Sequence, residues 1–191
     1  MKLMKKTFVV CCTFIVLLLT QFYTVNAHKL TCKSGSENLG WKVNCNSHSG
    51  TNVIYYSFAP GLDKKYKNYT YTAVGRWNNT SIVSFRFSGV SRNVVTSYGG
   101  PDSGTAAITR SWSNSNTGHK TRWEISYNRY VFGKSSNSKN NATATHEFGH
   151  AIGLADLKVS KNKNKLMFYS TAGTATSPTS ADKTGAREAV K

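Results

Sequence analysis

Hydrophobic and polar positions follow two periods along the chain, and the period of two predicts strands. Four segments rich in β-branched and aromatic residues are predicted strands: 52–58, 82–88, 105–112 and 120–132. In the last of these, Trp123, Ile125 and Tyr127 lie on one side, and the residues between them lie on the other. This alternation is typical of a strand with one buried face.

The period of three to four predicts helices. Asp63 can cap a helix that runs to about Asn78. Its apolar face is expected to consist of residues spaced three or four apart, namely Tyr66, Tyr69, Ala73 and Trp77. After a polar loop at residues 137–141, a second helix is expected from near Asn141.

The order of the elements indicates the fold class. Thr179 and Asp182 form a capping pattern that predicts a short last helix. Strand, helix, strands and two further helices then follow one another, which favours an α+β fold. We expect a twisted, mostly parallel or mixed sheet with helices packed on it, in one domain.

The N-terminus has the three parts of a secretory signal. A basic start with three lysines precedes the uncharged apolar run 8–19, and small residues at 25–27 suit a signal peptidase. We therefore expect residues 1–27 to be a signal peptide and the protein to be secreted. An uncleaved membrane anchor is the alternative, but the run is short for a bilayer and no stop-transfer pattern follows. The lysine- and asparagine-rich composition favours a bacterial source.

Two cysteines remain after the signal. Cys32 and Cys45 lie in a Gly/Ser/Asn-rich N-terminal segment, residues 28–51, and a disulfide between them is expected in an exported protein. One of the two thiolates blocking a metal ion is the alternative. Residues 52–191 form the predicted main domain.

The charge is strongly positive but spread along the chain. The formal net charge is +17, and removal of the three signal lysines leaves 17 − 3 = +14. Such a charge could hold the protein near an anionic cell-surface polymer, or it could simply be a solvated surface, which we favour. No nucleic-acid-binding motif accompanies the charge, so no specific nucleic-acid partner is expected, and we expect a monomer.

The stretch 144–157, ATHEFGHAIGLADL, contains the residues with the clearest chemistry. His146 and His150 lie one helical turn apart on the same face and can hold one zinc ion between them. Glu147 is one step along and can reach a water on that ion, acting as general base in peptide hydrolysis. Two solvated histidines on a surface helix are the alternative.

A third ligand is needed, since catalytic zinc usually has three protein ligands and a water. Gly153 can adopt the left-handed conformation that ends a helix, and Asp156 follows three residues later. No histidine lies downstream of His150, and the other downstream acids, Asp182 and Glu188, are in or near the last helix. Spacing and elimination both select Asp156.

With these residues the sequence resembles the metzincin metallopeptidases, whose motif is H-E-x-x-H-x-x-G-x-x-H followed by a Met-turn. Here the motif is HEFGHAIGLAD, and KLMFYS, with Met167, is similar to the Met-turn. VIYYSFAPG, GRWNN and VSFRFS are similar to the start of matrixin-type catalytic domains, so the resemblance covers residues 52–190. Aspartate in place of the third histidine resembles the snapalysin-type secreted bacterial proteases.

The resemblance implies roles for further residues. Met167 would form an apolar floor under the ligands. Tyr169 would contact the zinc or the oxyanion, or only pack on the pocket wall. A substrate peptide would lie along the edge formed by residues 104–111, and the loop 170–177 would line the pocket beyond the cleaved bond.

The sequence therefore predicts a secreted zinc metalloendopeptidase that acts on protein or peptide substrates. One alternative is a basic secreted binding protein with a structural or vestigial zinc site. Another is a toxin-like effector whose protease acts on one host protein. The carboxylate of Glu147 argues against a purely structural site, which has no use for it.

Overall fold

A computed structural model describes residues 31–100 and 104–191 of the chain. The predicted signal peptide and its cleavage site lie outside the described residues. The strands are β1 (Gly35–Ser36), β2 (Trp41–Lys42), β3 (Val53–Phe58), β4 (Ser84–Phe87), β5 (Val94–Tyr98), β6 (Ala107–Ser113) and β7 (Lys120–Asn128). The α-helices are α1 (Lys64–Asn78), α2 (Arg129–Lys134), α3 (Asn137–Ile152) and α4 (Ser180–Ala189).

The main sheet has five strands in the order β4-β3-β5-β7-β6. All neighbours are parallel except β6, which runs antiparallel to β7, with Ala107 opposite Tyr127 and Ser111 opposite Trp123. The predicted mixed sheet is therefore confirmed, and the predicted strand 105–112 is found as the edge strand β6. Within the described sheet, the outer side of β6 is free of a strand partner.

Helix α1 forms as its sequence pattern predicts. The side chain of Asp63 accepts a hydrogen bond from the backbone N–H of Lys65 and so caps the helix. Tyr66, Ala73 and Trp77 are buried, whereas Tyr69 is only partly buried. The indole of Trp77 also donates a 2.8 Å hydrogen bond to the backbone carbonyl of Thr145 in α3. This bond fixes α1 against the helix that carries the histidines.

Two sequence-based boundaries are wrong, and one strand was missed. The strand predicted to reach Phe132 ends at Asn128, because the Asn128 side chain accepts from the N–H of Tyr130 and caps α2. The predicted polar loop 137–141 is the start of α3, since Ser136 caps that helix. Strand β5 was not predicted. Its sequence, VVTSY, is short, shows little apolar/polar alternation and is followed directly by Gly99-Gly100-Pro101, so no pattern indicated a strand.

The predicted disulfide between Cys32 and Cys45 is present. Such a bond is typical of exported proteins, so it fits a secreted location. It closes a segment that we name the N-terminal clasp, residues 32–45.

Among the described residues, no helix is both long and apolar enough to cross a membrane.

The clasp packs on the chain just beyond α3. Val43 is buried and forms a bridge with Leu154, and two backbone hydrogen bonds of 2.9 Å flank that bridge. Asn44 N–H donates to the carbonyl of Gly153, and the Lys42 carbonyl accepts from the N–H of residue 155. The segment predicted as a separate N-terminal piece thus pairs with the backbone that leads to Asp156.

Candidate metal centre

Helix α3 places both histidines of the motif at one edge of a cavity of about 920 Å³. Helix α3 ends at Ile152 and is capped by Gly153, whose φ is +124°. A Cβ on Gly153 would lie 2.6 Å from the Cα of His48, so only glycine fits this turn. The chain leaves the helix there, as the sequence predicts, and returns toward the histidines at Asp156.

Three atoms suited to a metal converge beside α3, where the returning chain meets the two histidines. Asp156 Oδ1 lies 3.2 Å from His146 Nε2 and 3.3 Å from His150 Nε2. Ligand atoms about 2.0–2.1 Å from a tetrahedral zinc ion are roughly 3.3 Å apart, so the observed spacing fits one ion. Oδ1 of Asp156 is also buried and accepts no conventional hydrogen bond from the described residues, a deficit that a cation would satisfy.

Backbone carbonyls orient both imidazoles. His146 Nδ1 lies 2.8 Å from the carbonyl oxygen of Leu166, and His150 Nδ1 lies 2.8 Å from that of Leu154. Because a carbonyl can only accept, each Nδ1 carries the proton and donates. In the neutral ring each Nε2 then has a free lone pair, which is the form that binds a metal.

The electrostatics of the three groups keep the aspartate ionised. Burial favours the neutral form of Asp156, but the two histidine rings that lie within 3.3 Å of its carboxylate hold its pKa well below its usual range. Burial also opposes charge on His146. Asp156 and Glu147 outweigh that effect and raise the pKa of His146 above its usual value. The site therefore attracts positive charge.

Glu147 lies beside this centre and is only 5% exposed. One atom each of His146, Glu147 and His150 lie within 4.8 Å of one another. The hydroxyl of Thr109, on the edge strand β6, donates a 2.6 Å hydrogen bond to Glu147 Oε2. The sequence analysis did not identify Thr109 as a functional residue. The one available signal was its position in the predicted edge strand.

The loop after α3 is held by an acid of the last helix. Asp182 accepts hydrogen bonds from the N–H groups of Leu166 (3.0 Å) and Met167 (3.2 Å), and also forms the predicted capping box with Thr179. The carbonyl of Leu166 is the one that orients His146. From the sequence, Asp182 was expected only as a helix cap, because nothing local shows its second pair of partners.

Met167 and Tyr169 occupy different positions relative to the centre. Met167 is 2% exposed, and its sulfur lies too close to Gly149 to leave room for a Cβ there, so it packs directly against α3. Tyr169 lines the cavity, is 57% exposed, and its ring contacts that of Phe168 edge-on. The structure thus brings Tyr169 to the same cavity as the histidines and leaves its side chain accessible.

The clasp holds the chain on the far side of Asp156. The carboxylate of Glu37 accepts from the N–H groups of Lys158 (2.9 Å) and Val159 (3.3 Å) and from the side-chain amide of Asn162 (2.9 Å). Together with the pairing at residues 153–155, these bonds bracket Asp156. No sequence pattern predicted them, because the partners are more than 100 residues apart.

Comparison with known proteins finds no matching family and no matching curated protein. Among solved structures, 37 chains match. One belongs to a structure described as the GM1-bound form of the ECX AB5 holotoxin, with a TM-score of 0.52 and 12% identity over 83% of this chain and 92% of that one. That likeness shows a shared fold alone.

A zinc protease is also among the structural neighbours. It is high choriolytic enzyme 1, a hatching enzyme of the medaka fish Oryzias latipes. The TM-score is 0.37 and the identity 17%, over 65% of this chain and 53% of that one. We build no inference on this second likeness.

Proposed function

We propose that the protein is a secreted zinc-dependent endopeptidase. The observation that carries the proposal is the convergence of His146 Nε2, His150 Nε2 and Asp156 Oδ1 at separations of 3.2 and 3.3 Å beside the carboxylate of Glu147. A site that only stabilises the fold would not need a buried carboxylate next to its ligands. Calcium and magnesium prefer oxygen ligands, so two imidazoles and one carboxylate favour zinc.

His146, His150 and Asp156 are the residues that would hold the metal. A bound zinc ion supplies a Lewis acid for the peptide carbonyl and lowers the pKa of water. The Glu147 carboxylate accepts a proton from the attacking water and returns it to the nitrogen of the leaving amine. Thr109 occupies Oε2 of Glu147, which leaves Oε1 for that proton. Tyr169 is the proposed hydrogen-bond donor to the developing oxyanion.

The edge strand β6 offers a binding position for the substrate peptide. It lines the cavity along residues 107–109, and its outer side is free of a strand within the described sheet. An extended peptide can pair with the free N–H and carbonyl groups of such an edge, and this places its backbone across the cleft.

Two observations support the narrower assignment to the metzincins. Gly153 ends the active-site helix and directs Asp156 back to the histidines. Met167 is buried and packs against Gly149 of α3, a contact that would suit the methionine of a Met-turn. The departure from that family is the aspartate. A carboxylate ligand lowers the net charge of the centre and should weaken it as a Lewis acid.

The test uses the exported protein, expressed from the full-length chain and loaded with zinc. Casein cleavage and zinc content are measured for the wild type, Glu147→Gln and a matched control, Glu188→Gln. We expect the wild type and the control to cleave, and Glu147→Gln to bind one zinc but lose activity by at least about a thousandfold. Undiminished cleavage by Glu147→Gln would remove Glu147 from its role as base.

The same measurement separates the competing function, a basic binding protein with a vestigial zinc site. Folded, zinc-loaded wild type that cleaves neither casein nor a peptide library would favour that function. The burial of Glu147 and its bond to Thr109 argue against it, because a solvated vestigial carboxylate would have no fixed partner.

A further inference from the structure

Three lysines line the cavity that contains the metal centre: Lys120 on β7, Lys139 on α3 and Lys165 in the loop before Leu166. The acids among the described lining residues are Glu147 and Asp156, and both belong to the proposed centre. The formal charges of a divalent zinc ion, these two carboxylates and two neutral imidazoles sum to zero. The lysines then give the loaded cleft a net positive charge.

The other acids of the described chain are engaged elsewhere. Glu37 binds the loop at 158–162, Asp63 caps α1, and Asp182 holds residues 166 and 167. Glu124 accepts from Ser126, and Glu188 pairs with Lys191. None of these five lines the cavity. Among the described residues, no acid outside the proposed centre therefore lines the cleft to offset its positive charge.

Lys120 differs from the other two lysines. Its ammonium is enclosed, donating to Ser111 Oγ at 2.8 Å and to the carbonyl oxygen of His150 at 2.5 Å. Burial lowers its pKa to about 7, so at neutral pH it carries only part of a charge. The cations available to a substrate are Lys139, which is exposed, and Lys165, which is half-buried.

Lys139 has a defined place relative to the reacting bond. Lys139, Thr143, His146 and His150 follow one another at spacings of four, three and four, which puts them in one stripe of α3, and all four line the cavity. Seven residues of helix separate Lys139 from His146, a rise of about 10 Å. An extended peptide covers that length in roughly three residues.

We propose that this cleft selects acidic peptide segments, with Asp or Glu within about three residues of the cleaved bond. The inference rests on the proposed endopeptidase function. Lys139 and Lys165 supply the attraction, and the acidic side chain replaces the missing counter-charge of the cleft. The helix rise of about 10 Å between Lys139 and His146 is comparable to the screening length at physiological salt, about 8 Å, so the preference is expected to weaken as salt is added.

The experiment compares three fluorogenic peptides that are identical except for flanking positions occupied by Glu, Gln or Lys. The value of kcat/KM is measured for the zinc-loaded, exported protein at low and high salt. We expect the Glu peptide to exceed the Lys peptide by about tenfold at low salt, with a smaller ratio at high salt. The double variant Lys139→Glu/Lys165→Glu should reverse the order. A control with Lys64→Glu, which lies on the exposed start of α1 outside the cavity, should keep it.

Binding without hydrolysis is measured in parallel, by fluorescence anisotropy of the same peptides on zinc-loaded Glu147→Gln. Tighter binding of the Glu peptide that is abolished in the double variant supports the inference. If the wild type shows this binding but cleaves nothing, the endopeptidase function is contradicted and the preference for acidic peptides stands. Equal kcat/KM for all three peptides, or a preference for Glu that survives the double variant, would overturn the inference and leave the protease function standing.

Discussion

The hydroxyl of Thr109 lies 2.6 Å from Glu147 Oε2, so the edge strand that would carry the peptide also holds the proposed base. The same hydroxyl lies 3.2 Å from the Glu147 backbone carbonyl oxygen. One side chain thus fixes the distance between strand β6 and helix α3 at the point where hydrolysis would occur.

Replacing Thr109 by valine keeps the shape of the side chain and removes the hydroxyl. We expect kcat to fall about 10- to 100-fold, because Glu147 loses the bond that orients it, with KM nearly unchanged. Thr109→Ser should restore most of the activity. Zinc content and thermal midpoint are measured for both variants. An equal loss in the serine variant would show that packing of the methyl group, and not the hydroxyl, is what matters.

Replacing Asp156 by alanine should weaken zinc binding by roughly 100-fold or more, since it removes one of the three proposed ligands. Affinity is measured by competition with a fluorescent chelator. Asp156→His, which introduces the ligand that most metzincins use, should retain tight binding. Wild-type affinity in the alanine variant would exclude Asp156 as a ligand.

Protein stripped of metal with EDTA should show a pH dependence set by His146. Its pKa is raised in the folded state. The contact of the protonated ring with Asp156 therefore adds its full contribution to the free energy of unfolding at any pH below about 6.5, the ordinary pKa of a histidine in the unfolded chain. That stabilisation is lost as the pH rises through the higher folded pKa. Zinc competes with the same proton, so the stabilisation by added zinc should grow over this range.

The control for this experiment is Asp156→Asn, measured at each pH from 5.5 to about 9. The comparison is necessary because Lys120 acts in the opposite direction. Its pKa falls from 10.5 to about 7 on folding, so the unfolded chain binds more protons between these values and stability rises with pH. A thermal midpoint whose pH dependence is the same in wild type and Asp156→Asn would contradict the role of His146.

Reduction of the disulfide should loosen the clasp that brackets Asp156. A loop of this size contributes about 3 kcal/mol to stability, so the double variant Cys32→Ser/Cys45→Ser should unfold at a lower temperature. It should also bind zinc more weakly at temperatures where it remains folded. Glu37→Gln tests the second effect separately, because it weakens the contact with residues 158–162 and keeps the disulfide. Unchanged zinc affinity in both variants would show that Asp156 is held without the clasp.

The sequence predicted elements whose patterns are local. Residues of α1 repeat at helical spacing, and Asp63 stands where a cap is needed, so that helix was predicted almost to the residue. The spacing of His146, His150 and Asp156 likewise lies within a single stretch. Their convergence in the structure agrees with the geometry that the spacing suggested.

What the sequence did not predict depends on partners far along the chain. Thr109 and Glu147 are 38 residues apart, and Glu37 and Asn162 are 125 apart, so no periodicity links them. The end of β7 was missed for a different reason. The strand-like sequence pattern continues beyond Asn128. The hydrogen bond by which the Asn128 side chain caps the next helix outweighs the β-propensity of the aromatic residues that follow.

The bonds from Asp182 to the backbone of Leu166 and Met167 have a consequence for the order in which the protein is made. A ribosome synthesises His146, Glu147, His150 and Asp156 well before it reaches α4. Until Asp182 emerges, the loop whose carbonyl orients His146 lacks two of its hydrogen bonds. A partly translated chain therefore carries the whole proposed metal-binding motif without the support that aligns it, and the centre can be completed only after α4 has been made.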